Sequence, residues 1–175
     1  HIGLGGIESV EQMAKVKAVV PETVFPHGYA VLNADDDLVY KMKKDLKCNI
    51  ALFSMDENNP RIKEHCANHG LACVYENGYV TIMKGNWKIR VLAARDIPLT
   101  YEAKAVHNIN NCLPAVLAAY LYRDITIDDI RIGLQTFIPS ESLTPGRLNF
   151  FHFKHFTMLA DFAHNPHGLR LLCDF

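Results

Sequence analysis

Asn108 and Asn111 stand three residues apart just after His107, a spacing that places two side-chain amides on one face of a helix. Amides so placed can hydrogen-bond the edge of a heteroaromatic ring, or they can cap the helix they begin. Arg147 follows Thr144, Pro145 and Gly146. A Pro-Gly turn would fix its backbone, and a planar, permanently charged guanidinium suits a phosphate. Its competing role is a surface ion pair with Glu141. Asp161 closes an apolar run, and His164, Asn165 and Pro166 follow it, at the kind of strand-to-helix turn where open α/β sheets take their ligands. Capping of that helix by Asp161 is the alternative.

Other constellations carry less. His65, Cys66, His69 and Cys73 are close in sequence, and two of these imidazoles would share a helix face. Gly70 interrupts the helix, however, and Cys73 falls on a strand, so a solvated helix end with a core thiol is the expectation rather than zinc. His152 and His155 flank a hairpin tip and are given no role. The sequence contains no GxSxG, no HExxH and no phosphate-cradling GxxxxGK[ST] loop.

The elements that must position these residues follow from periodicity. Helical spacing covers residues 9–19, with Pro21 expected to end the run. Two strand–helix units come next: a strand at 28–33 with a helix at 38–46, then a strand at 49–54 with a helix capped by Asn59 and Pro60 and closed by Gly70. Short strands at 72–75, 79–83 and 87–91, separated by Asn-Gly and Gly-Asn turns, read as an antiparallel meander. The longest helix is expected over 102–123 with Pro114 inside it, and a shorter one over 128–137. Beyond the polar, Pro-Gly stretch at 139–146, strands at 147–153 and 156–161 would form a hairpin opening a second α/β unit. The fold class is therefore α/β: a mostly parallel sheet plus a small antiparallel meander, then a second unit, with domains at 1–143 and 144–175.

Composition narrows the classes. Of 175 residues, 49% are hydrophobic and 21% charged, which fits a protein with a packed core. Eighteen Lys and Arg against nineteen Asp and Glu give a net charge of -1, too balanced to attract nucleic acid by bulk electrostatics. No apolar stretch approaches the roughly 20 residues of a membrane-spanning helix. Five cysteines without a CxxC pair read as reduced thiols, so a cytoplasmic protein is expected. The chain opens at His1 without Met, and the helix starting near residue 168 has little room before Phe175. A fragment of a longer protein is the expectation.

The motifs HNxxN at 107–111, PGR at 145–147 and DxAHNP at 161–166, with Asn33-Ala34-Asp35-Asp36 at a strand end, resemble the Mur ligase superfamily of ATP-dependent amide ligases. Within it the likeness is greatest to the branch that attaches arginine to the side-chain carboxylates of poly-aspartate. It rests on residues 1–8, the run Lys15-Val16-Lys17, residues 144–149 and residues 164–168. The resemblance implies the second half of a central P-loop-type ATPase domain, followed by the first strands of a Rossmann-like C-terminal domain. It also implies ATP and Mg2+ as cofactors, and arginine and a poly-aspartate primer as partners. No nucleic acid or membrane partner is implied, and a homo-oligomer is left open. A folylpolyglutamate or muropeptide ligase, or a non-catalytic nucleotide-binding module, are the other readings.

By motif, the resemblance implies His1 beside a magnesium ion and Lys17, as a carbamate, holding a second one, with Lys15 as its competitor. Asn108 and Asn111 would face adenine, Arg147 the γ-phosphate and Asp161 the ribose. His164 and Asn165 would lie near the phosphates or the incoming amino acid. Lys17, Arg147 and His164 are the catalytic candidates. With the phosphate loop absent, the 175 residues alone are expected to be inactive.

Overall fold

The computed structural model describes Gly3 and residues 5–175. Ser9 caps the first helix, α1 (Val10–Glu22), by accepting the Gln12 N–H on its hydroxyl oxygen. Pro21, expected to end this helix, lies inside its last turn. Only the proline's own N–H is lost, and the N–H groups of Thr23 and Val24 still reach the carbonyls of Val19 and Pro21.

The two strand–helix units follow as β1 (Tyr29–Asn33), α2 (Asp37–Met42), β2 (Asn49–Ser54) and α3 (Pro60–Ala67). Asp36 caps α2 by accepting the N–H groups of Leu38 and Val39, and Asn59 caps α3 with Pro60 in its first turn. β1 and β2 pair in parallel, and β2 pairs in parallel with β3 (Leu71–Glu76). β3 then runs antiparallel to β4 (Tyr79–Lys84), which runs antiparallel to β5 (Trp87–Ala93). The parallel sheet and the meander are thus one five-stranded sheet in the order β1-β2-β3-β4-β5, with β3 belonging to both.

Both faces of this sheet are covered, which is why its strands read as apolar runs rather than alternating ones. On one face Ala51, Leu71, Cys73, Val80 and Ile82 pack against Cys112, Leu113, Val116 and Leu117 of α4 (Val106–Tyr120) and Ile130 of α5 (Ile127–Thr136). On the other, Leu32, Leu52, Ala72 and Val74 pack against Ile62 and Cys66 of α3. The burial of these side chains is the main stabilising term.

α4 begins at Val106 and not at 102 because Tyr101, Glu102 and Ala103 hold φ values of 51°, 59° and 66°. Buried Thr100 anchors this left-handed stretch: its hydroxyl donates to the Ala94 carbonyl at 2.5 Å and accepts the Ala103 N–H at 3.1 Å. Pro114 sits within α4 without ending it. The remaining elements are β6 (Asn149–His152) and β7 (Thr157–Ala160), a separate two-stranded antiparallel sheet, and α6 (Pro166–Asp174).

Candidate functional site

The first turns of α4 are tied to the loop before them. Asn108 Nδ2 donates to the Leu99 carbonyl at 2.8 Å, so this amide links the helix to the preceding loop; the N-cap position belongs to Ala105, which offers no side-chain cap. Asn111, one turn on, is exposed on α4. Asn108 therefore presents its Oδ1 and one remaining N–H to a partner.

Opposite them stands the turn that carries Arg147. The Arg147 N–H donates to the Thr144 carbonyl at 3.1 Å, and Gly146 takes a φ of 68°, the left-handed value that a Pro-Gly pair supplies in a type II turn. The Arg147 guanidinium lies over the Phe162 ring, 5.8 Å from its centroid. It forms no ion pair among the described residues, Glu141 included.

Asp161 does not cap α6. Its Oδ2 accepts the Leu148 N–H at 3.0 Å, and the cap is Asn165, whose Oδ1 accepts the Gly168 N–H at 2.8 Å. His164 Nδ1 lies 2.9 Å from the Phe162 carbonyl.

These segments enclose a cavity of about 440 Å³ lined by Asn108, Asn111, Arg147, Asp161, His164 and Asn165, together with His107, Thr144, Leu99, Leu148, Phe162 and residues of α6. The volume is within the range of small-ligand sites. Its wall offers apolar side chains with amides for a ring, one carboxylate for hydroxyls and one permanent cation for a phosphate. His107, given no role from sequence, is held partly buried here. Burial lowers its pKa from the ordinary histidine value, and the negative charge of Asp161 works against that shift. Phe162, the aromatic between Asp161 and His164 in the motif, also lines the cavity and is exposed.

The remaining candidates are not gathered with these. Lys17 and its competitor Lys15 lie exposed on α1, outside this cavity. His1 lies outside the described residues. His65 points its Nε2 at the Leu71 carbonyl, 3.2 Å away, and burial lowers its pKa. Cys73 is fully buried and its thiol pKa is pushed far up by that burial. Among the described residues no cluster of three His, Cys, Asp or Glu side chains could hold a metal ion.

Comparison with known proteins settles the relationship. Cyanophycin synthetase of Geminocystis herdmanii is 51% identical over 168 residues, covering 96% of this chain and 19% of the relative. The chain is homologous to the cyanophycin synthetases. The cyanophycin synthetase of a Synechocystis species is 48% identical over 175 residues, covering 100% of this chain and 20% of the relative. More distantly, the UDP-N-acetylmuramate–L-alanine ligase of Acetivibrio thermocellus is 27% identical over 158 residues, covering 87% of this chain and 29% of the relative. No family model matches. The chain spans about a fifth of the length of the cyanophycin synthetases it matches. No helix among the described residues is long and apolar enough to cross a membrane.

Proposed function

We propose that this chain is the part of an ATP-dependent amide ligase that closes on the nucleotide, in a protein that joins arginine to the side-chain carboxylates of poly-aspartate. The observation that carries the reading is the meeting of Asn108, Asn111, Arg147 and Asp161 around one cavity, although more than 50 residues of chain separate Asn108 from Asp161. The greater likeness to cyanophycin synthetases than to muramate ligases favours arginine and poly-aspartate as substrates.

In the proposed reaction a side-chain carboxylate oxygen attacks the γ-phosphorus of ATP, the bond to the β-phosphate oxygen breaks and ADP leaves. The incoming amine then attacks the acyl phosphate carbon, loses a proton and expels inorganic phosphate as the amide forms. Phosphoryl transfer leaves a protein mainly positioning and charge neutralisation to supply. Arg147 would neutralise γ-phosphate charge, Asp161 would accept ribose hydroxyls, and Asn108 and Asn111 would meet the adenine edge against the apolar wall. His164 and Asn165 would border the phosphates or the incoming amino acid. The turn at 144–148 is the proposed junction of a part covering 1–143 with one covering 144–175.

Magnesium fits this chain less well. A hard cation takes about six oxygen ligands, and Asp161 is the single carboxylate lining the cavity among the described residues. Lys17, as a carbamate, and His1 are proposed ligands from the resemblance alone.

The test is magnesium-dependent ADP release by the complete gene product, with poly-aspartate primer and with or without arginine. Arginine-dependent release is expected, and its absence overturns the reading. The 175 residues alone, lacking a GxxxxGK[ST] loop, are expected to give no turnover; robust turnover by them would count against the proposed division of labour.

A further inference from the structure

Arg147 owes its direction to its main chain. Its side chain is exposed, and the contact that steadies the guanidinium is a ring face 5.8 Å away, a weak hold at an exposed site. The backbone around it is unusual. After Gly146 at φ 68°, Leu148 also takes a left-handed φ of 47°, with its side chain 2% exposed. That conformation is unfavourable for a leucine, whose Cβ crowds the following carbonyl, so the turn does not hold this shape unaided.

What holds it is a buried amide. Asn149 is a polar residue only 6% exposed at the start of β6. Its Oδ1 accepts the Gly146 N–H at 2.7 Å, while its Nδ2 donates to the Thr144 carbonyl at 3.1 Å and lies 3.3 Å from the Arg147 carbonyl. One side chain therefore meets main-chain groups before, beside and at Arg147. The turn has two further ties: the Leu148 carbonyl accepts the Tyr101 hydroxyl at 2.9 Å, and the Gly146 carbonyl accepts the Phe162 N–H at 2.8 Å.

We infer that Asn149 is a positioning residue, whose amide shapes the turn at 144–148 so that Arg147 faces the cavity. The inference rests on the proposed meeting of Arg147 with a phosphate. The chemistry demands an acceptor and a two-proton donor at one short reach, which among side chains is asparagine. Aspartate keeps the acceptor for Gly146 but turns a carboxylate toward two carbonyl oxygens. Alanine removes both functions.

The test uses the complete gene product and arginine-dependent ADP release, with urea unfolding as the check on folding. Asn149→Asp and Asn149→Ala are expected to lower kcat about tenfold or more, with the KM for arginine changed less than about twofold. In an Arg147→Lys background, which has already lost the planar fork, Asn149→Asp is expected to lower kcat by less than about threefold further. A folded Asn149 variant whose kcat falls by less than about tenfold overturns the inference. So does an equal proportional loss in both backgrounds, or unfolding of both variants, since either marks a purely structural residue. An inactive wild-type protein is a separate result, seen before any variant is made, and it removes the proposed function itself.

Discussion

Asp161 accepts the Leu148 N–H through Oδ2 at 3.0 Å, so the carboxylate facing the cavity also fastens the turn that carries Arg147. Leu148 is 2% exposed, and removing its acceptor would strand a buried donor, at about 1–3 kcal/mol. Asp161→Ala should lower stability by that amount. Asp161→Asn keeps an acceptor oxygen and should lose less than about 1 kcal/mol, while both variants raise the KM for ATP in the complete gene product. Urea unfolding separates the two effects. Equal midpoints for wild type and Asp161→Ala would show that the bond contributes nothing.

Two histidines should make the chain acid-sensitive. Burial lowers the pKa of His107, opposed by Asp161, and burial lowers that of His65, opposed by the Leu71 carbonyl. In the unfolded chain each returns to about 6.5, so below that pH the unfolded state binds more protons and stability falls as the pH falls. Their contribution is complete above about 6.5 and is lost as pH drops through the lowered folded values. The urea midpoint should therefore fall as the pH is taken below about 6.5. A His65→Gln, His107→Gln double variant should flatten that fall, and an equally steep fall in the variant would assign the sensitivity elsewhere.

The parts of this fold readable from sequence are those set by neighbours along the chain. Asn59 and Pro60 begin α3 as expected, and Asn77 and Gly78 turn β3 into β4 with φ of 50° and 85°. The start of α4 was hidden, because Tyr101, Glu102 and Ala103 carry no glycine or asparagine to announce a left-handed path. That path is imposed by Thr100, a tertiary anchor. Similarly, the residue types at Asn108, Arg147 and Asp161 spoke for a ligand, whereas the work of Asn149 depends on a turn shape that no spacing rule describes.

Gly70 has an unusual neighbour. A Cβ placed there would lie 2.4 Å from the His65 ring, and that ring is held in place toward the Leu71 carbonyl. Gly70→Ala must displace the imidazole, so it should destabilise the chain by about 1–3 kcal/mol, the usual range for overpacking. Gly70→Ala combined with His65→Ala should lose less than the sum of the two single changes, measured by urea unfolding. Strict additivity would mean that the ring is not what the new methyl meets.

Asn108 and Asn111 line the same cavity but differ in what else they do. Asn108 Nδ2 donates to the Leu99 carbonyl, whereas Asn111 forms no side-chain hydrogen bond among the described residues and is exposed. Asn108→Ala should therefore lower both stability, by about 0.5–1.5 kcal/mol, and the affinity for ATP. Asn111→Ala should weaken ATP binding while leaving the urea midpoint within about 0.5 kcal/mol of wild type, as for a surface change. Calorimetric titration of ATP into each folded variant of the complete gene product reads the difference. If Asn111→Ala binds ATP as wild type does, the second amide of the pair has no part in the proposed site.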